Sequence, residues 1–150
     1  MTWRTKLDAR QGVFSAEITE HRTGLWDYEL FIDCVPERED DETRRSIHLD
    51  VAWSEADAKS EVCALLRAIL HELKSSCDIN RWGSKGRLLS IRTFCVLVES
   101  RSVGVFWDIC HGDTRIDCGY ARSIDTGKEA AISKVREFVC DIREMLKRMQ

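Results

Sequence analysis

Phe14-Ser15-Ala16-Glu17-Ile18 opens a segment that passes Gly24 and reaches Trp26-Asp27, and Phe94-Cys95-Val96-Leu97-Val98 opens another that passes Gly104 and reaches Trp107-Asp108. In both, apolar side chains recur at every second position, the period of a strand with one face on a core. Each segment continues into a further alternating stretch, Ile47-His48-Leu49-Asp50-Val51-Ala52-Trp53 in the first and Ile116-Asp117-Cys118-Gly119-Tyr120 in the second. A helical pattern closes each. The order predicts two consecutive βββα units, and therefore an α+β fold built on antiparallel strands.

The first helix is expected after Ser54, a good N-cap residue with Asp57 three positions on. Its apolar stripe is Val62, Leu65, Leu66, Ile69, Leu70 and Leu73. The second is expected to start at Thr126-Gly127-Lys128-Glu129, which has the spacing of a capping box. Its stripe is Ala131, Val135, Phe138, Val139, Ile142 and Leu146, with Lys147 and Arg148 at the negative pole of the helix dipole. The pseudo-repeats span residues 12–75 and 90–149, joined by a connector at 76–89, in a single domain of 1–150. Each helix has one apolar side, so both are expected on one face of the strands. Edge-to-edge pairing of the two halves into a continuous six-stranded sheet would remove two exposed edges.

In the first unit, Trp26, Tyr28, Leu30, Ile32 and Cys34 are expected to face the core together with Ile47, Leu49, Val51 and Trp53. The opposite face then carries Glu17, Asp27, Glu29, Asp33 and Asp50, with Phe31 as its apolar member. In the second unit, the same reading puts Cys95, Leu97, Phe106 and Cys110 outward. An apolar outward face on an antiparallel sheet is either covered or used as an interface.

The chain has 150 residues, of which 43% are hydrophobic and 33% charged, enough apolar content for a folded core and no run long enough to cross a membrane. Residues 1–75 hold ten Lys and Arg against sixteen Asp and Glu, whereas residues 76–150 hold thirteen against ten. The acidic half suits a basic partner. The seven cysteines are irregularly spaced and no export signal precedes them, which predicts reduced thiols in a cytoplasmic protein. No Cys or His pair has the spacing of a metal site, and neither a phosphate-binding glycine loop nor a nucleophile elbow occurs. His21, His48, His71 and His111 are scattered. No catalysis, metal or cofactor is therefore expected.

The residues point to a small protein-binding inhibitor or adaptor, of the immunity, anti-defence or chaperone-like type. It would act through the non-helical sheet face, with Phe31, Leu97 and Phe106 as apolar anchors and Asp27, Glu29, Asp33 and Asp50 as the charged set. The same apolar face would serve a homodimer. The alternative is nucleic-acid binding through the connector, where Arg81, Lys85 and Arg87 would contact phosphates and Trp82 would stack on a base.

Overall fold

The computed structural model describes residues 4–21, 23–78, 82, 88–91 and 93–150. Their order is β1 (Arg4–Gln11), β2 (Phe14–Glu20), β3 (Trp26–Asp33), β4 (Arg44–Ala52), α1 (Glu55–Asp78), β5 (Leu88–Ile91), β6 (Phe94–Arg101), β7 (Gly104–His111), β8 (Thr114–Ala121) and α2 (Ile124–Met149). The fold is α+β, with all strand pairs antiparallel. The strands form two separate four-stranded sheets, β1-β2-β3-β4 and β5-β6-β7-β8, and not one six-stranded sheet.

Each sheet has one strand more than the sequence pattern predicts. β1 escapes detection because Leu7 and Ala9 are its only apolar inward positions, facing Ile18 and Ala16 across the ladder. β5 has four residues, and it begins inside the expected connector. β1 and β2, like β7 and β8, are joined by two residues beginning with a glycine, Gly12 (φ 58°) and Gly112 (φ 60°). Other residues rarely adopt that conformation, so each glycine marks its tight hairpin.

The chain divides into two compact units: residues 1–33, 44–70 and 140–150, and residues 34–43 and 71–139. In the first, Phe14, Ala16, Ile18, Leu30, Ile32, Val62, Leu66 and Ile142 are buried. In the second, Phe94, Val96, Val98, Trp107, Ile109, Ala131, Val135 and Phe138 are buried. The α2 stripe is buried throughout, whereas in α1 Val62, Leu66 and Leu73 are buried and Leu65, Ile69 and Leu70 are half-buried.

The cap of α1 is the expected one: Ser54 Oγ accepts from the Asp57 N–H at 3.1 Å. α2 starts earlier than expected. Its cap is Ser123, whose Oγ accepts from the Thr126 N–H at 3.2 Å while Thr126 Oγ1 accepts from the Ser123 N–H at 3.0 Å. Thr126 is therefore the reciprocal partner within the helix and not its cap.

β4 departs most from expectation. Its register with β3 sets Val51 opposite Asp27 and Leu49 opposite Glu29, with a bulge between Leu30 and Phe31. Directly opposed residues share a face. Leu49, Val51 and Trp53 are consequently exposed, to 64%, 51% and 85%, and not in the core. The inward positions are Ala52, Asp50 and His48, opposite Trp26, Tyr28 and Leu30. Only Ala52 of these is buried. β4 is an edge strand, where burial on either face is incomplete, so the pairing register decides its orientation and the apolar alternation does not.

In the second unit the first turn of α2 lies on the sheet. A Cβ at Gly127 would come 3.0 Å from a Val98 methyl and 3.1 Å from a Val105 methyl. On the same face, a Cβ at Gly119 would meet the Trp107 indole at 2.7 Å. Gly119→Ala is expected to destabilise the protein by about 1–3 kcal/mol through overpacking, read as a lower urea midpoint.

Candidate functional site

The outward face of the first sheet holds Glu17, Asp27, Glu29, Phe31 and Asp33, and the structure adds Leu49 and Val51. Phe31 is 8% exposed, because the Arg44 guanidinium lies 3.8 Å above its ring and bonds Glu17 at 3.1 Å. Asp33 pairs with Arg10 at 2.8 Å. Asp27 and Glu29 make no ion pair among the described residues. They flank the exposed Val51 and Leu49 side chains directly. The patch is therefore half acidic and half apolar, and it borders a strand that has a neighbour on one side only among the described residues.

Asp50 does not belong to this face. It lies opposite Tyr28 on the helical side, 4.0 Å from His48, whose ring stacks on Tyr28 at 5.8 Å. The sequence reading missed Leu49, Val51 and Trp53 as surface residues. The signal that could have found Leu49 and Val51 is the charge alternation itself, since the β4 residues beside Asp27 and Glu29 share their exposed face.

The outward face of the second sheet is sealed by arginines. Phe106 is 4% exposed, with Arg101 3.8 Å and Arg115 5.3 Å from its ring centre and the Tyr120 ring tilted against it, centres 5.3 Å apart. Leu97 is half-buried, opposite Asp108. The buried Asp108 accepts two bonds from Arg115, at 2.9 and 3.3 Å. Both faces thus share one device, a phenylalanine on the third strand of its sheet beneath a guanidinium.

Cys95 and Cys110 are directly opposed on this second face. Burial, followed by the charge of Asp108, pushes both thiols up, Cys110 to about 11. Burial also raises Cys118. These thiols are protonated at neutral pH and are poor nucleophiles. Among the described residues, no group of three or more His, Cys, Asp or Glu is placed to hold a metal ion.

Of the alternative nucleic-acid set, Arg81, Lys85 and Arg87 lie outside the described residues. Trp82 is half-buried, with Lys128 Nζ 5.1 Å from its ring centre.

Two outcomes are expected from the second face. Arg115→Met leaves the buried Asp108 carboxylate without its guanidinium, and should cost about 3 kcal/mol in urea unfolding. The raised Cys110 pKa means that the folded state keeps a proton the unfolded chain loses near the ordinary value of 9.0. Its stabilisation is complete below about pH 9 and disappears as pH rises through about 11. The urea midpoint should fall across that window, and Cys110→Ser should shrink the fall. No protein family matches the chain, and neither a curated protein nor a solved structure shows significant similarity to it.

Proposed function

We propose that the chain is a non-enzymatic recognition protein that binds another protein along β4 and the outward face of the first sheet, as an inhibitor or adaptor. The observation that carries this reading is the exposed row Leu49, Val51 and Trp53 beside Asp27 and Glu29 on an edge strand. Natural edge strands are ordinarily guarded by charge, proline or brevity. β4 is nine residues long and contains no proline, and its charged residues are Arg44 and Arg45 at its start and Asp50 on the helical side, which leaves Leu49 and Val51 unguarded on the outward face. Its exposed apolar row is instead what an added strand or a flat partner surface would cover. The neighbouring carboxylates select a partner that is basic as well as apolar.

This reading moves the anchors. Phe31 and Phe106 are occupied by arginines, so the apolar contact is assigned to Leu49, Val51 and Trp53, with Asp27 and Glu29 as the charged rim. The ββββα order in each half, with a capped phenylalanine on each third strand, supports an internal repeat as the origin of the chain.

The reading is tested with extended ten-residue peptides that alternate apolar residues with Lys or Arg, followed by fluorescence anisotropy. Saturable binding is expected, weaker in high salt, and reduced at least tenfold by Val51→Asp. If no such peptide binds, or if Val51→Asp binds as well as the parent, the reading is wrong. Light scattering with absorbance at two wavelengths on the eluting protein tests the rival assignment: a peak rich in nucleic acid would move the function to residues 81–87.

A further inference from the structure

The passage from β4 into α1 builds a cavity beside the proposed recognition surface. Asp50 and Ala52 turn toward the helical side of the sheet, and the chain then reverses at Ser54 to start α1. The reversal leaves the Trp53 indole 85% exposed. Asp57 and Glu61 follow one turn apart on α1, a spacing that places them on the same flank of the helix. Tyr28 joins the lining from the neighbouring strand. The cavity has a volume of about 350 Å³, and its lining includes Tyr28, Asp50, Trp53, Asp57, Ser60 and Glu61.

Three properties define what it can hold. The first is charge. Asp57 and Glu61 make no ion pair among the described residues, and Asp50 has only His48, at 4.0 Å. The second is the spread of the carboxylates. Among the described residues they form no group placed to hold a metal ion, and their spread suits a cation whose charge is delocalised over a larger body. The third is Tyr28. The residue is 4% exposed, yet its hydroxyl makes no hydrogen bond among the described residues. Among those residues, Ser15 Oγ is the enclosed side-chain polar atom without a partner. The Tyr28 oxygen is therefore not enclosed, and it opens on the cavity as an acceptor that no described residue occupies. Burial, then the charges of Asp50 and Glu61, push its pKa up, so the phenol stays neutral beside the carboxylates.

We propose that this cavity receives the guanidinium group of an arginine side chain from the protein bound along β4. The planar cation would stack on the exposed Trp53 indole, and Asp57, Glu61 and the Tyr28 oxygen would accept its N–H groups. A guanidinium has five donors in one plane and stacks on aromatic faces, whereas an ammonium is a compact, strongly hydrated charge. Trp53 and Val51 belong to both the cavity wall and the apolar row. The inference rests on the reading of that row as a recognition surface and names the partner residue that would specify it.

The test uses N-acetyl-arginine methylamide as a free probe, with the lysine and citrulline analogues as controls. Binding is followed by NMR at the Trp53 indole N–H, assigned with Trp53→Phe. A saturable shift is expected with the arginine probe, at least fivefold tighter than with the lysine analogue and absent with the uncharged citrulline analogue. The double substitution Asp57→Asn, Glu61→Gln should weaken it at least tenfold while the circular dichroism of the protein is unchanged. No saturable shift, or equal affinity for arginine and citrulline, would overturn the proposal, and equal affinity for lysine would overturn the guanidinium assignment. The free probes do not cover β4. If peptides bind but the cavity does not respond, the cavity assignment fails and the surface reading stands. If the cavity saturates but no peptide binds, the surface reading is the one that fails.

Discussion

The pairing of β4 with β3 decides what the first sheet exposes. One bulge between Leu30 and Phe31 fixes the register, and from it follow three separate consequences. Leu49 and Val51 stand beside Glu29 and Asp27 in water. Asp50 and His48 turn to the helical side around Tyr28. Ala52 completes the core at the point where the chain turns into α1. A slip of one residue would exchange every member of these sets. The acidic–apolar surface and the carboxylate-lined cavity are two sides of one strand.

Much of the architecture was legible in the sequence, and the parts that were not have physical causes. Strong alternation in Phe14–Ile18 and Phe94–Val98 marks strands that bury one face completely, and the stripes from Val62 and Ala131 mark helices that turn one side to a core. β1 and β5 lacked such a signal, since a marginal strand takes its place from the ladder it joins. The face of β4 was misjudged for the same reason. Alternation shows that two faces differ, but not which of them meets the core. The candidate surface inherited that error, so Asp27, Glu29, Asp33 and Phe31 were placed on the outward face correctly while Asp50 was not. Trp53 lay beyond reach because its exposure comes from the Ser54 cap and the turn into α1.

Arginine has a repeated task in this protein. Arg44 over Phe31 and Arg101 over Phe106 cover rings that face away from the helices. Each guanidinium is also anchored to a carboxylate, Glu17 or Glu99. The stack hides an aromatic surface from water without a further layer of chain, and it leaves a polar exterior. The contrast with β4 is informative: the two outward phenylalanines are capped, and Leu49, Val51 and Trp53 are not.

The first compact unit joins residues 1–33 and 44–70 to residues 140–150. A side chain at Gly12 would collide with the Asp141 carboxylate, and the Arg148 guanidinium donates to the Arg10 carbonyl. The β1–β2 hairpin is therefore finished by residues of α2, which are translated long after it. At ordinary elongation rates, the hairpin waits roughly 10 s for the piece that closes over it. During synthesis the second unit has all of its chain before the first is whole, and the order of folding is expected to run against the order of translation.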